Sequence, residues 1–288
     1  MLRRLFHSFI SLIITLLVCG FLAASMVRYA PGYAIDERLS DPHLSAASRA
    51  AIQNSYAAES SLPAYYAGYL AAIFHGDLGI SHEFDRPVMD LVRERFAPTA
   101  HAVLLSLLFA WTLGLGLALF TTHWRNRTLD LSVSVLAALF LSLPPAVIAI
   151  LLLLWRQPST LAIGFVLFPK VFRYARNLLA EAAVKPHILT AHAKGVSPLH
   201  ILGVHMLPGI LPQLAALAGA TLSVAMTASI PIEAICDVPG LGQLAWQAAL
   251  ARDLPLLLGL TLLIAFVTVT VNSLAGMFRT QPVLVRAT

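Results

Sequence analysis

The sequence predicts an all-α integral membrane protein with six transmembrane helices and both termini in the cytoplasm. Composition is the first indication: 58% of the residues are hydrophobic, only 11% are charged, and the mean hydropathy is +0.79. An average soluble domain has about a quarter charged residues. The second indication is that the apolar residues are concentrated in long runs, four of which exceed the roughly 18–20 residues that cross the hydrocarbon core of a bilayer.

The predicted transmembrane helices are these runs, taken in chain order. The four long ones are Leu5–Val27, Phe96–Trp124, Leu131–Trp155 and Leu254–Phe278. A fifth run, Met206–Ile232, follows a polar interruption, and a short sixth run, Gln157–Phe172, contains Lys170. The first run is longer than the roughly 7–15 apolar residues of a secretory signal, so we expect it to remain as the first helix.

The distribution of charge orients these helices. The segment from Arg28 to Arg95 has nine acidic and six basic residues, whereas the rest of the chain has thirteen basic and five acidic ones. By the positive-inside rule we expect the acidic segment outside and the basic loops inside, which requires the short run Gln157–Phe172 to cross as well. The basic positions are Arg3, Arg4, Arg125, Arg127, Arg173, Arg176, Lys185, Lys194, Arg279 and Arg286. Topology in a lipid bilayer therefore explains the basic balance, and no nucleic-acid partner is indicated.

The outer segment contains two local patterns. Leu62–Leu70 is an aromatic, amphipathic stretch typical of a membrane interface. It is followed by Gly76-Asp77-Leu78-Gly79-Ile80-Ser81, whose glycines favour turns. A short amphipathic helix is predicted over Arg86–Phe96, leading into the second span. The segment could form a lip around a pathway, serve as a docking surface for a delivery protein, or simply connect two spans.

The polar interruption is the most informative part of the chain. It contains Glu181-Ala182-Ala183, with Lys185 four residues after Glu181 in the favourable orientation for a helical pair. Pro186 can begin a short helix over residues 187–194 that ends at Gly195, and Ser197-Pro198 can begin a second one. Two short helices joined by a glycine would suit a groove in a soluble partner; the alternative is an ordinary loop. The histidines at 187, 192, 200 and 205 have spacings that need not converge, so no metal site is predicted.

A stripe of small residues marks one face of the fifth span. Ala215, Gly219 and Ser223 recur every four residues, which allows close approach of another helix in lipid. The partner helix could belong to the same chain or to another subunit, and the sequence leaves both open.

The interruption resembles the E-A-A loop of binding-protein-dependent ABC transporter permeases, and the whole chain is similar to the dipeptide/oligopeptide/nickel branch of that family. The matching residues are Arg28-x-x-Pro31-Gly32, Gly76-Asp77-Leu78-Gly79-x-Ser81, Glu181-Ala182-Ala183, Thr190-Ala191-x-Ala193-Lys194-Gly195, Leu211-Pro212, Glu233, Pro239-Gly240-Leu241-Gly242 and Ala251-Arg252-Asp253. They occur in order from about residue 3 to residue 279. The chain departs from the branch at Tyr33, His192, Pro208-Gly209 and in a short loop around Arg156–Ser159.

The resemblance implies a single permease domain of the type I importer kind over residues 1–288, located in the inner membrane and passing through it several times. Residues 28–95 would be extracytoplasmic, and Glu233, Pro239, Gly240 and Gly242 would belong to the extracytoplasmic motif together with Gly76–Gly79 and Ser81. Residues 181–208 would couple to a separate ATP-binding-cassette ATPase. A second permease chain and an extracytoplasmic substrate-binding protein are implied partners. The chain lacks a G-x-x-x-x-G-K-[ST] loop, so we expect ATP to be bound by the partner, with no cofactor and no enzyme activity here.

The resemblance makes peptides the expected substrate, with nickel or another metal chelate as the alternative. A different class, an ion-coupled secondary transporter, would need acids or histidines in the middle of its spans and often an internal repeat. Asp130, Glu233 and Asp237 lie near the ends of the predicted spans instead.

Overall fold

The computed structural model describes residues 2–29, 45, 61–124 and 126–277. This part of the chain is built from helices, and its only β pairing is an isolated bridge between Ile80 and Pro87. The helices are α1 Leu2–Arg28, α2 Leu62–Ile73, α3 Val88–Trp124, α4 Arg127–Ser142, α5 Pro145–Leu154, α6 Ser159–Ala183, α7 Pro186–Ala193, α8 Pro198–His200, a π-helix Ile201–Met206, α9 Leu207–Ile235, α10 Leu241–Ala251 and α11 Leu254–Met277.

Four of these helices are long and apolar enough to cross a membrane. They correspond to α1, α3, α9 with the short helical stretch before it, and α11, and the bent pair α4–α5 raises the number to five. Helix α6, which contains the predicted fourth span, is 25 residues long but carries Lys170, Arg173 and Arg176, and it is not among them. Several membrane-spanning helices are therefore present, while six spans and cytoplasmic termini remain a prediction.

The predicted span Leu131–Trp155 is divided into two helices. Helices α4 and α5 meet at an angle of 101°. Leu143 and Pro144 have extended backbone, with ψ of 131° and 144°, because a residue that precedes a proline is disfavoured in the α-helical region. The break lies at the adjacent prolines Pro144-Pro145.

The described chain packs as two units. Unit 1 comprises Met1–Arg4, Pro98–Gln243 and Val267–Thr288, and unit 2 comprises Leu5–Ala97 and Leu244–Phe266. One permease domain over residues 1–288 stays a prediction.

Helix α6 lies in the core of unit 1. Its buried residues extend from Ala162 to Ala182, and the rings of Phe165 and Phe168 contact those of Phe109 in α3 and Phe140 in α4. Phe172 and Leu179, further along α6, are fully enclosed. The polar end of this helix is thereby held in a fixed place.

The stripe of small residues packs within the chain. A Cβ added to Gly219 would lie 2.7 Å from the Cβ of Ala275 in α11, and Asn272 donates a hydrogen bond of 2.7 Å from Nδ2 to Ser223 Oγ. The expectation of close approach is confirmed, and the partner is the last helix of the same chain.

Unit 2 has a separate core around two tyrosines of α2. Tyr66 donates to the carbonyl oxygens of Leu16 and Leu17 at 3.2 and 3.0 Å, and Tyr69 donates to that of Pro255 at 3.2 Å. Burial raises the pKa of both phenols. The aromatic stretch therefore packs against α1 and α11 rather than presenting all its rings at a membrane interface.

Some of the predicted features lie outside the described residues. They are Pro31-Gly32, the departure at Tyr33, and the orienting residues Arg125, Arg279 and Arg286.

Candidate functional site

The coupling segment, residues 181–208, is an ordered part of unit 1. Helix α6 ends at Ala183, α7 occupies Pro186–Ala193, and α8 begins at Pro198. The predicted pair of short helices around Gly195 is therefore confirmed in position.

Gly195 ends α7 through a Schellman motif. Its φ is +75°, a left-handed conformation that is cheap for glycine and costs other residues about 1–2 kcal/mol. The amide of Gly195 donates to His192 O at 3.0 Å and that of Val196 donates to Ala191 O at 3.2 Å, the two bonds that define this cap. Val196 also packs against the apolar core of unit 1. Among the described residues, apart from the two chain neighbours, no atom lies within 4 Å of a Cβ built on Gly195, so what this position requires is the backbone conformation.

One face of the coupling segment is buried. Ala182, Ile188, Ala191, Ile201 and Met206 belong to the same apolar cluster. This cluster also contains Phe172 and Leu179 of α6 and Ile210 of α9. Because these contacts lie on both sides of the turn at Gly195, the segment is fixed to the helices that enter and leave it.

The opposite face is exposed and partly apolar. Leu189 is 57% exposed, Leu199 65% and Val204 53%. Polar and basic residues surround them: Glu181, His187, Thr190, His192, Lys194 and His200 are all exposed. Within the described residues no three ligating side chains form a metal site, although the rings of His200 and His205 are 5.9 Å apart. An exposed apolar surface with a polar rim is typical of a protein–protein contact.

The segment joins α9 through a π-helical turn over Ile201–Met206. The amide of Leu207 donates to Leu202 O, five residues back. Pro208 has no amide hydrogen and its ring crowds the Val204 carbonyl, which favours this wider turn. The departure Pro208-Gly209 thus has a local structural consequence.

An ion pair lies close to the start of the coupling segment. Arg176 of α6 donates two hydrogen bonds to the carboxylate of Asp130 in the first turn of α4. The side chain of Asn126 caps α4 by accepting from the amides of Thr128 and Leu129 at 2.9 and 3.4 Å. The pair joins α4 to α6 about one turn before Glu181.

Glu233 is the centre of a second cluster of predicted residues. It is 0% exposed and lies in the last turns of α9. Its Oε1 accepts from Thr99 Oγ1 at 2.8 Å, and its Oε2 accepts from the amides of Gly242 and Gln243 at 2.7 and 3.3 Å. Thr99 Oγ1 in turn accepts from the amide of Leu241 at 2.7 Å. The carboxylate therefore caps the N-terminus of α10, where the helix dipole favours a negative charge.

The glycines of Pro239-Gly240-Leu241-Gly242 permit this close approach. A Cβ on Gly242 would lie 2.7 Å from Ser229 O and 2.8 Å from the Cα of Ile230, both main-chain atoms of α9. A Cβ on Gly240 would collide with Glu233 Oε2 and Thr99 Oγ1. The motif is explained by packing of a helix start against a buried carboxylate.

The predicted outer motif forms a third cluster, in unit 2. Asp77 Oδ1 accepts from the amide of Gly79 at 2.8 Å, and both Gly76 and Gly79 have positive φ. Ser81 Oγ donates to Asp253 Oδ2 at 2.5 Å, and Asp253 Oδ1 accepts from the amide of Leu256 at 3.1 Å. Asp253 is thus the N-cap of α11 and holds the turn at Ser81.

The structure therefore distributes the predicted site residues over three clusters. Gly76–Ser81 contacts Asp253, Glu233 contacts Gly242, and Glu181–Gly195 lies in the coupling segment. Sequence reasoning missed Thr99, which carries no local signal for its role. The capping role of Asp253 could have been found, because Asp followed by Leu254-Pro255 is an N-terminal helix signal.

Comparison with known proteins identifies the family. The family of inner membrane components of binding-protein-dependent transport systems matches residues 101–280. A protein named as a peptide permease in Brucella suis is 28% identical over 309 residues, covering 96% of both chains. A peptide transport system permease protein of the same organism is 29% identical over 74% of this chain and 76% of its own. A glutathione transport system permease protein of Salmonella choleraesuis is 25% identical over 94% of each chain. Since this family model covers more than half of the chain, the chain belongs to the family of inner membrane components of binding-protein-dependent transport systems.

Proposed function

We propose that this chain is the permease subunit of an ATP-driven importer of peptides, and that it forms half of the translocation pathway. Family membership already favours an ABC permease over an ion-coupled secondary transporter. The coupling segment would seat in a cleft of a separate ATPase subunit, which binds the ATP, so that this chain needs no ATPase site of its own.

The observation that carries the proposal is the two-sided coupling segment. Its buried side, with Ile188 and Ile201 fully enclosed, is fixed to α6 and α9, while Leu189 and Leu199 are exposed. A partner that binds the exposed face can therefore move two long helices through contacts already formed. Such a segment suits a rigid-body transition between inward- and outward-facing states.

Relatives support peptides as the substrate class. The proteins compared above are named as peptide or glutathione permeases, and glutathione is itself a peptide with free carboxylates. These names favour peptides over nickel or another metal chelate. The proposal also includes a second permease chain, a substrate-binding protein, and six transmembrane spans of which α6 is the fourth. In that arrangement both termini and the coupling segment are cytoplasmic, and Gly76–Ser81 is extracytoplasmic.

The test uses single exposed residues, because replacing all of residues 181–208 would also remove core side chains such as Ile188. The tagged chain is purified from its native membrane as wild type, Leu189→Glu and Leu189→Met. Co-purifying subunits are identified by mass spectrometry, and ATP hydrolysis and peptide uptake are measured after reconstitution.

We expect a P-loop ATPase to co-purify with wild type and Leu189→Met, and to be depleted at least tenfold with Leu189→Glu, since a buried unpaired charge in a contact is costly. Equal recovery with all three variants would exclude the exposed face as the ATPase contact. A wild-type chain that purifies without any ATPase would exclude the coupling role altogether.

A further inference from the structure

A broadly open cavity of about 640 Å³ lies among α5, α6 and α9 of unit 1. Its walls are formed by Pro145 at the start of α5, by Val166 and Lys170 of α6, and by residues between 223 and 231 of α9. This volume lies within the roughly 300–1,000 Å³ of pockets that hold small molecules.

Lys170 places a cation in the wall of the cavity. Val166 and Lys170 are four residues apart and so share one face of α6. Of the described residues that line the cavity, Lys170 is the only ionisable one. Neither a carboxylate nor any other hydrogen-bond acceptor pairs with its amine in the parts of the chain that the structure describes. Asp130 is occupied by Arg176, and Glu233 by Thr99 and two amides.

The opposite wall offers hydrogen-bond acceptors. The Thr227 hydroxyl donates to the Ser223 carbonyl at 3.0 Å, and none of the described residues donates a hydrogen bond to its oxygen. Ser223 Oγ is already used as an acceptor by Asn272 Nδ2 at 2.7 Å. Pro231 cannot donate an amide hydrogen to the Thr227 carbonyl, which therefore lacks its usual helical donor. A cation on one wall and acceptors on the other match a molecule that carries both a carboxylate and amide or amino N–H groups.

The position of Lys170 is unusual for a membrane helix. With α6 as the proposed fourth span, Lys170 would lie about 16 Å along the helix axis from Ser159, counting 1.5 Å per residue, which is about half of a 30 Å hydrocarbon core. Cations at this depth are costly and mark ligand or ion pathways. Arg173, three residues on, is exposed and does not line the cavity.

We propose that this cavity is a binding site for the transported molecule within the translocation pathway, and that Lys170 binds the carboxylate of that molecule. The inference rests on the proposed function and adds the chemical feature that the pathway recognises: a free carboxylate on a peptide-sized solute. The apolar wall residues accept varied side chains, while the lysine fixes one end.

The first experiment measures uptake by the complete reconstituted transporter of a library of di- to pentapeptides, and of the same library with amidated C-termini. Wild type, Lys170→Gln, Lys170→Arg and the control Arg173→Gln are compared by mass spectrometry. The binding protein is the same in every sample, so its own preference cancels in the ratio of variant to wild type. We expect Lys170→Gln to lose about tenfold in uptake of free peptides and less than twofold in uptake of amides, with Lys170→Arg and Arg173→Gln close to wild type.

A second measurement uses only free peptides. Lys170→Cys, with Cys19 and Cys236 replaced by serine, is treated with an aminoethyl or a sulfonatoethyl thiosulfonate reagent. Restoration of uptake by the aminoethyl group alone supports the proposal, and an equal response to both reagents overturns it. Wild-type uptake of free peptides by Lys170→Gln, or equal loss of free and amidated peptides, also overturns it. If the wild-type complex imports neither library, the proposed peptide function is refuted, and so is the proposed carboxylate-binding site at Lys170.

Discussion

The carboxylate of Glu233 should control the stability of unit 1 in a graded way. In Glu233→Ala the buried amides of Gly242 and Gln243 both lose their acceptor, at about 1–3 kcal/mol each, so we expect a loss of about 2–6 kcal/mol. Glu233→Gln keeps one acceptor oxygen for these two amides and loses mainly the bond from Thr99, so we expect about 1–2 kcal/mol. Gly242→Ala places a Cβ against main-chain atoms of α9 and should cost about 1–3 kcal/mol.

In the assay, the detergent-solubilised protein is heated to a series of temperatures, and the fraction that remains monodisperse is measured by fluorescence-detected size-exclusion chromatography. At about 2–4 °C per kcal/mol, Glu233→Gln should lower the midpoint by a few degrees and Glu233→Ala by about 10 °C. Glu181→Gln is the matched control, because the same chemical change is made on an exposed side chain. Wild-type stability of Glu233→Ala, or equal losses in the Ala and Gln variants, would refute the argument from hydrogen-bond acceptors.

Three further outcomes are expected. Gly195→Ala should keep ATP hydrolysis coupled to transport and lose about 1 kcal/mol in stability. Gly195→Val should insert into the membrane normally but uncouple ATP hydrolysis from transport, because a β-branched residue tolerates positive φ poorly. The measurement is the number of molecules transported per ATP, and a wild-type ratio for the valine variant would contradict this. In the same thermal assay, Asp253→Ala should destabilise unit 2 more than Ser81→Ala does. The reason is that Asp253 accepts three hydrogen bonds, only one of which comes from the Ser81 side chain. A larger loss of stability in Ser81→Ala would show that the cap is unimportant. Burial raises the pKa of the Cys236 thiol, and the thiolate is the form that reacts with maleimide. In a Cys19→Ser background, the rate of Cys236 labelling should therefore still increase above about pH 9, where the rate for an exposed Ser197→Cys reference levels off. Parallel pH profiles for the two thiols would disprove this.

The sequence predicted the parts of the fold that depend on local signals. Pro186 and Gly195 bound a short helix because one lacks an amide donor and the other accepts a left-handed backbone, and both effects act within a few residues. The apolar runs likewise located the long helices, since the bilayer thickness sets their length. The family match then agreed with motifs that were collinear along the chain.

Features that depend on distant contacts could not be predicted. Thr99 meets Glu233 across 134 positions, and nothing near Thr99 marks it as a partner. Leu131–Trp155 was predicted as a single span, and the two prolines within it indicate where a helix can break but not the angle of 101° between α4 and α5. The spacing of the tyrosines in α2 is compatible with a membrane interface and equally with a buried core. Only their contacts with neighbouring helices distinguish the two.

The buried side of the coupling segment has a mechanical consequence. A segment connected only through its chain ends would act as a tether, and a pull on it would be absorbed by bending at Gly195. Ile188 and Ile201 instead join its two arms to a common apolar core, on either side of that turn. We therefore expect the segment to act as a short lever, so that a displacement of a few ångströms at its exposed face would turn α6 and α9 together.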